Sequence, residues 1–298
     1  MILVAALFFL AIILVIVLHS QSAARMFMRF EDRQFQLAQL RVAAAEAVFE
    51  ALRGLGADDT PGIDHTNEAW ATPRTNLFPN AIRTLAVVSD ENRYFNANNL
   101  AVVPEKSDAR MPVEIAGEVF LASRWPDPAG AAQALKDWID RDTEGTREAS
   151  YYREARLPMQ PPNSPLESPA EMAGILHALR ADRSDTPEEF TILPIEGGRL
   201  TPVNLNTAGR EVLKAVLGPG RAVLAEKICR HRDAHPITSL EQAIDAKTLM
   251  GLRQYLETGS RYFSVEAIAE RNGKKAEIQA LARRGARGEI EILRWVCR

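Results

Sequence analysis

The residues best placed to do chemistry are three acidic side chains that alternate along one short segment. Asp140, Asp142 and Glu144 stand at every second position, and Gly145 follows them. Alternating carboxylates with a glycine at the sixth position match the start of a calcium-binding loop, because Ca²⁺ prefers oxygen ligands and the glycine permits a sharp turn. Position twelve is Tyr151, where an EF-hand has a bidentate glutamate, so a standard EF-hand is excluded.

Two further acidic residues lie close enough in sequence to complete a looser site. These are Glu148 and Asp137. The sequence therefore predicts a candidate calcium site with Asp140, Asp142 and Glu144 as ligands, of the weak affinity that extracytoplasmic calcium allows. The alternative interpretation is a solvated acidic helix end.

A second pattern, at residues 203–236, is typical of a helix-hairpin-helix unit. Two helical segments flank Gly218-Pro219-Gly220, and elsewhere such a hairpin grips a DNA phosphate with its backbone N–H groups. The net positive charge of the segment is small, which is a weak electrostatic footprint for phosphate binding. Helix–helix packing is the alternative role. The basic residues of this segment are Arg210, Lys214, Arg221, Lys227, Arg230 and Arg232.

No arrangement typical of an enzyme stands out. The five histidines are scattered, and no Ser-His-Asp order, phosphate loop or carboxylate pair is evident. The formal net charge of −3 gives no global attraction to nucleic acid or anionic lipid. Two cysteines, Cys229 and Cys297, are too few for a disulfide framework and favour free thiols. A non-enzymatic role is expected.

The element that must position everything else is a long N-terminal helix. Residues 1–18 contain no charge, proline or glycine, and their length is at the short end of what crosses a bilayer. Residues 19–53 continue without proline or glycine, and their apolar positions recur at helical spacing until Gly54. We predict one helix of about 80 Å, with a membrane-spanning part (1–18) and an amphipathic part (19–53). A cleavable signal is the alternative, but no basic residue precedes the apolar run.

The remaining chain alternates between strand and helix patterns. Residues 81–88, 93–103 and three segments after residue 258 read as strands, 54–80 as loop, and 111–121 as either strand or helix. Helical patterns fill the middle. Because early and late strands must lie side by side in a sheet, we predict an α+β fold. Its parts are a head (54–123 and 258–298) and an inserted all-helical domain (124–257).

Five segments, in this order, indicate which class of protein the chain resembles. They are LKDWIDRDTEG (135–145), YY (151–152), NSPLESPAEM (163–172), VNLNTAGREVL (203–213) and SRYFSVEAI (260–268). With the long apolar helix and the small antiparallel sheet, they resemble the K-type minor pseudopilins of the bacterial type II secretion system (GspK-like) over essentially the whole chain. The resemblance implies a pilin-like head with an inserted helical domain.

The resemblance also implies a function and partners. Such proteins are placed with the I- and J-type minor pseudopilins at the tip of a short periplasmic pseudopilus, where they initiate or cap assembly for the export of folded proteins. The implied partners are those pseudopilins, the secretion assembly platform and membrane lipid through residues 1–18. The implied location is the bacterial inner membrane, single pass, with the head in the periplasm. The family is also known for calcium in the K-type head.

Nucleic acid is not an expected partner, although a membrane-anchored helix-hairpin-helix DNA receptor of the competence type is the second hypothesis.

Two features of the N-terminal region bear on the resemblance. The first acidic residue is Glu31, in agreement with a family that lacks the early pilin glutamate. Arg25, Arg29 and Arg33 would place the following part in the cytoplasm by the positive-inside rule. A basic prepilin leader upstream of Met1 would reverse that orientation, and we expect one.

Overall fold

The first helix, α1 (Ile2–Gly56), has the length and position predicted from the sequence. The computed structural model describes residues 2–105, 109–179 and 187–298. From Leu7 onward α1 contains an 18-residue stretch with a mean hydropathy of 2.2, and none of this stretch is buried. By length and composition, the helix could cross a membrane. Its second half packs one face on the head, because apolar residues recur there at intervals of three and four. The buried residues of this face are Leu40, Ala43, Ala44, Ala47, Val48, Ala51, Leu52 and Leu55.

The other elements follow in chain order. The remaining helices are α2 (Pro112–Ala122), α3 (Pro128–Ile139), α4 (Ala149–Glu154), α5 (Pro169–Ala178), α6 (Arg210–Leu217), α7 (Ala222–Ala234), α8 (Leu240–Ala243) and α9 (Ala246–Leu252). The strands are β1 (Arg74–Phe78), β2 (Ile82–Asp90), β3 (Phe95–Asn96), β4 (Phe190–Thr191), β5 (Val203–Asn204), β6 (Leu256–Glu257), β7 (Tyr262–Arg271), β8 (Lys274–Arg284) and β9 (Ile290–Cys297).

The head is a five-stranded antiparallel sheet covered on one face by α1. The strand order is β1-β2-β7-β8-β9, so the last strand before the insertion pairs with the first strand after it, with Val88 opposite Val265. Asn272 and Gly273, both at positive φ, form the β7–β8 turn, as expected for a two-residue hairpin. One buried cluster joins α1 to β2, β7 and β8. The predicted α+β, pilin-like fold is confirmed.

The inserted domain has a separate core that runs from Phe95 to Leu256. It contains α2–α9 and two short parallel strand pairs, β3–β4 and β5–β6. The predicted boundary at residue 124 is therefore too late, because residues 95–105 and 109–122 pack in the inserted domain and not in the head. The Asn272–Gly273 turn lies near the lipid-proximal part of α1, where Lys274 Nζ donates to Gln36. The insertion leaves and re-enters the sheet at the opposite end.

Several local predictions differ from the structure. The strand predicted at 93–103 is only two residues long and continues as a 3₁₀ helix, Ala97–Ala101, because buried asparagine side chains bind distant backbone. Asn98 Nδ2, for example, donates to Leu166 O and Leu193 O. The undecided segment at 111–121 is α2. β1 lies inside the segment predicted as loop, and it completes the sheet edge by pairing with β2.

Candidate functional site

The predicted acidic loop forms a compact group just beyond the end of α3. One carboxylate oxygen from each of Asp140, Asp142 and Glu148 lies within 4.8 Å of the other two. Glu148 reaches the group because it is the residue immediately before α4. Glu144 is exposed and is not part of the group. The structure thus brings together two of the three predicted ligands and places Glu148 beside them.

Burial leaves two oxygens of this group without a partner. Asp140 and Glu148 are 8% and 7% exposed, and Asp140 Oδ1 and Glu148 Oε1 accept no hydrogen bond from the described residues. The other oxygen of Asp140 accepts from Lys136 Nζ. Burial raises the pKa of Asp140 against the opposing effect of Lys136. Burial, and then the neighbouring carboxylates, raise the pKa of Glu148.

Asp137, the other predicted alternative ligand, holds the loop in shape. It is wholly buried, and its oxygens accept from Gln133 Nε2 and from the backbone N–H of Arg147, the latter at 2.7 Å. Gly145 packs directly on this carboxyl, and a Cβ added there would lie 2.3 Å from Asp137 Cγ. The glycine is therefore required by this close approach. Asp137 positions the loop that carries Asp142 and Glu148.

The donor set fits a hard divalent cation. Its three side chains offer only carboxylate oxygens, which are the ligands that Ca²⁺ prefers. Two of those oxygens are buried and have no partner among the residues that the structure describes, whereas buried polar atoms in proteins are almost always paired. Asp140, Asp142 and Glu148 would hold the ion.

The predicted helix-hairpin-helix unit is present as α6 and α7. Arg110 occupies the inner side of the hairpin, where its Nη1 donates to Ala215 O and a Cβ on Gly218 would lie 2.9 Å from that nitrogen. Several basic side chains are engaged within the unit, because Arg210 pairs with Glu226 at 3.1 Å and Arg232 donates to Leu205 O. Both features favour helix packing over phosphate binding.

Sequence reasoning missed a buried polar cluster where the two cores meet. Asp90, at the end of β2, is 3% exposed, and its Oδ2 accepts from Ser260 Oγ (2.7 Å), Asn204 Nδ2 (3.1 Å) and Thr207 Oγ1. We call Asp64, Asp90, Asn204, Thr207, Ser260 and Arg284 the junction cluster.

Two carboxyl groups of the junction cluster titrate above their ordinary range. Burial raises the pKa of Asp90, although its four donors oppose the shift. Burial raises the pKa of Asp64 to about 7, opposed mainly by Arg284. The signal in the sequence is the pair Asn204 and Asn206 inside an apolar run, because asparagine readily bonds backbone groups in turns and caps; the spacing alone does not indicate a partner.

The two cysteines do not come together. Cys229 is buried in α7 and Cys297 is exposed at the end of β9, and both are free thiols in the described part of the chain. The preference for free thiols agrees with this finding.

A long apolar N-terminal helix, an antiparallel sheet packed on it and a mainly helical domain between β2 and β7 define a pilin-like protein with an insertion. The predicted all-helical composition of that domain is wrong in one respect, because it also holds the short strand pairs β3–β4 and β5–β6. No protein-family model matches the chain. Type II secretion system protein K of Pseudomonas aeruginosa is 26% identical over 267 residues, which cover 84% of this chain and 76% of the relative. The chain is GspK-like, as its sequence segments predicted.

A solved structure shows the same fold. One chain in the crystal structure of the GspK-GspI-GspJ complex of the enterotoxigenic Escherichia coli type 2 secretion system matches with a TM-score of 0.66 and 21% identity. The match covers 89% of this chain and 98% of that chain. The similarity therefore extends over both the head and the inserted domain.

Proposed function

We propose that this chain is a non-enzymatic minor pseudopilin that lies at the tip of a type II secretion pseudopilus. The place of the insertion carries this proposal. It interrupts the sheet between β2 and β7, at the end away from the lipid-proximal part of α1. A domain at that end occupies the space in which a further subunit of a growing fibre would stack. Such a subunit suits the first position of a fibre, where it initiates or caps assembly.

The composition of α1 supports the same position. No acidic residue precedes Glu31, so the apolar part of the helix holds no carboxylate. A carboxylate in lipid is costly unless it is paired, and pairing requires a neighbouring subunit. A subunit that has no carboxylate in its apolar segment needs no neighbouring subunit to pair with one, so it can lie at the end of a fibre.

Location and partners follow from this role. We place α1 across the inner membrane as a single pass, with the head in the periplasm. The solved neighbour is a complex of GspK with GspI and GspJ, so the I- and J-type minor pseudopilins are the proposed partners, together with the secretion assembly platform.

The test is co-purification of the detergent-solubilised full chain with the I- and J-type pseudopilins of its own secretion system. We expect a stable complex of the three proteins and no salt-sensitive retention of duplex DNA in a filter-binding assay. A double variant, Lys227→Glu with Arg230→Glu on the exposed side of α7, is the control. It should leave the complex intact. A chain that ignores both pseudopilins but retains DNA, and loses it in the double variant, would support the competence-type receptor instead.

We also propose that Asp140, Asp142 and Glu148 bind one calcium ion that stabilises the segment between α3 and α4. Calcium at tenfold above the dissociation constant should then stabilise the protein by about 1.4 kcal/mol. Thermal unfolding of the full chain in millimolar calcium should show this increase, and Glu148→Gln should abolish it. Glu144→Gln, at an exposed position in the same loop, is the matched control and should keep it. The same increase in the Glu148→Gln protein would exclude the site.

A further inference from the structure

Three arginines of α1 have no part in the packing of the head. Arg25, Arg29 and Arg33 are exposed, and within the described chain their side chains form no ion pair and no hydrogen bond. By the positive-inside rule they oppose the proposed orientation, in which the head lies on the periplasmic side. Their position is therefore unfavourable unless another contact on that side of the membrane offsets it.

The three arginines lie on one face of the helix, and this face packs on the sheet farther along α1. An interval of four residues turns a helix by about 40°, so Arg25, Arg29 and Arg33 form a stripe about 80° wide. The same geometry places Leu40 and Ala47, both buried against the sheet, in line with this stripe. The end of the sheet nearest the lipid therefore lies directly beyond the arginines.

The β7–β8 turn brings two further cations to the same side of α1. Arg271 and Lys274 are cross-strand partners at the end of the hairpin. Lys274 Nζ donates to the side-chain oxygen of Gln36 at 2.6 Å, so the turn lies against α1 about one helical turn beyond Arg33. Because directly opposed residues of an antiparallel pair share one face of the sheet, Arg271 also lies on the α1 side. We call Arg25, Arg29, Arg33, Arg271 and Lys274 the lower basic surface.

The nearby acidic side chains of the described chain are turned away or already bonded. Glu31 lies about 160° around α1 from Arg29, on the opposite side of the helix. Asp32 accepts from Gln36 Nε2 at 2.7 Å, and Glu270 pairs with a lysine on the other face of the sheet at 3.4 Å. The whole chain has a net charge of −3, so the attraction of the lower basic surface for anions is local.

The lower basic surface lies close to the level of the lipid headgroups. Arg25 is the first charged side chain after the apolar span, so the hydrocarbon boundary lies just before it. At about 1.5 Å per residue, the β7–β8 turn, which contacts Gln36, is about 16 Å beyond Arg25. The headgroup layer is roughly 5–7 Å thick on each side. The turn is then about 10 Å from the headgroups, close to one Debye length.

The side chains between the arginines are those of a lipid interface. Four large apolar residues there are each more than half exposed, namely Met26, Phe27, Met28 and Phe30. Apolar side chains interleaved with arginines are typical of helices that lie in the interfacial layer of a bilayer. Arginine suits this layer, because its apolar stem packs on lipid while its guanidinium binds phosphate oxygens bidentately.

We propose that the lower basic surface binds the phosphate groups of anionic phospholipids while the subunit is in the membrane. The arginines of α1 bind headgroups beside the helix, and the β7–β8 turn attracts the same headgroups from above. The two contacts together fix the tilt of the head relative to the bilayer. The inference rests on the membrane placement of α1 in the proposed function, but neither on the tip position nor on the pseudopilin partners.

Spin-labelled lipids test the proposal on the full chain in vesicles of phosphatidylcholine. Electron spin resonance measures how strongly the protein selects labelled phosphatidylglycerol, which is anionic, over labelled phosphatidylcholine. We expect selection of phosphatidylglycerol at low salt. The selection should disappear in about 1 M salt, where the Debye length is only about 3 Å.

Two pairs of substitutions test the two elements separately. Each lysine or arginine at an anionic surface strengthens binding roughly fivefold, and the effect decays over a Debye length. Arg271→Gln with Lys274→Gln, about one Debye length away, should therefore lower the selection about threefold. Arg25→Gln with Arg29→Gln, at the headgroups themselves, should lower it more. Thermal unfolding in the same vesicles checks that both variants keep the folded head.

The matched control is Lys227→Gln with Arg230→Gln, which removes the same charge from the exposed side of α7. It should leave the selection unchanged. Equal binding of both labelled lipids by the native protein would overturn the proposal. Full selection in the variant of the β7–β8 turn would also overturn it, since α1 alone would then account for the contact. A chain that does not float with phosphatidylcholine vesicles would overturn the membrane anchor of the proposed function as well.

Discussion

Removing the Asp90 carboxylate should separate the unfolding of the two cores. Asp90 is the member of the junction cluster that receives hydrogen bonds from both sides of the junction. Thr207 and Asn204 belong to the inserted domain, and Ser260 lies just before β7. The backbone N–H of Asn92 donates to the second oxygen at 2.7 Å. The substitution Asp90→Ala removes all of these acceptors at once.

The size of the stability loss in Asp90→Ala depends on which hydrogen-bond donors can find another acceptor once the carboxylate is removed. The Thr207 and Ser260 hydroxyls can rotate, but the Asn92 N–H and the Asn204 amide are fixed by the backbone and by other bonds. Each buried donor left unpaired costs about 1–3 kcal/mol. Burial raises the pKa of Asp90, so the carboxylate itself carries a desolvation penalty that the substitution removes. We therefore expect a net loss of about 3 kcal/mol, a large fraction of the roughly 5–15 kcal/mol typical of a domain.

Urea unfolding followed by tryptophan fluorescence can resolve this effect, because Trp70 reports on the head core and Trp125 and Trp138 report on the inserted core. The native protein should unfold in coincident transitions. Asp90→Ala should shift the inserted core to lower urea and separate the two transitions. Ser89→Ala, at the preceding half-buried position, should stay within about 0.5 kcal/mol of the native protein. Coincident transitions in Asp90→Ala, at the stability of Ser89→Ala, would show that the junction cluster does not couple the cores.

Three further outcomes follow from the structure. Because burial raises the pKa of Asp90, its contribution to stability is fully present below the unfolded value of 3.8 and is lost as pH rises through the folded value. With a chelator present, the free energy of unfolding should fall as the pH rises above 3.8 in the native protein and fall less in Asp90→Asn. Gly145→Ala should destabilise the loop by roughly 1–3 kcal/mol and weaken calcium binding in a titration, since the added methyl meets the Asp137 carboxyl. Leu40→Ala should cost about 2–5 kcal/mol in urea unfolding, and Val42→Ala, at an exposed site on the same helix, almost nothing.

The long regular elements were predictable from the sequence because their periodicity extends over many residues. The three- and four-residue spacing of Leu40, Ala44, Ala47 and Ala51 defines the buried face of α1 without any tertiary information. β7 and β8 are long segments with apolar–polar alternation, and the Asn272–Gly273 turn fixes their connection. The pairing of β7 with β2 could then be inferred, since strands must find neighbours.

The short elements were not predictable, because distant residues decide them. β1 has only five residues, so its apolar–polar alternation is too short to indicate a strand. It is a strand because β2 pairs with it. Phe95 and Asn96 begin the inserted domain because β3 pairs with β4, which lies about a hundred residues later in the chain. Glu148 replaces Glu144 beside Asp140 because the loop folds around buried Asp137, a packing contact that spacing alone does not show.

The geometry of the junction explains how the head tolerates so large an insertion. The chain leaves the sheet after Asp90 and returns at Phe263, and these two residues are opposite each other in the β2–β7 pair. The ends of the insertion are therefore as close as neighbouring strands, about 5 Å, and the sheet is complete without it. Nothing in the strand pairing fixes the orientation of the inserted domain, so contacts between that domain and the head must do so. They are one small apolar contact, of Leu193 with Tyr262 and Leu281, and several polar contacts. Asn92 is the clearest example: its side-chain oxygen accepts from the backbone N–H of Tyr262 while its amide donates to Pro202 O in the inserted domain. Directional bonds of this kind can hold one orientation where a second apolar interface would permit several.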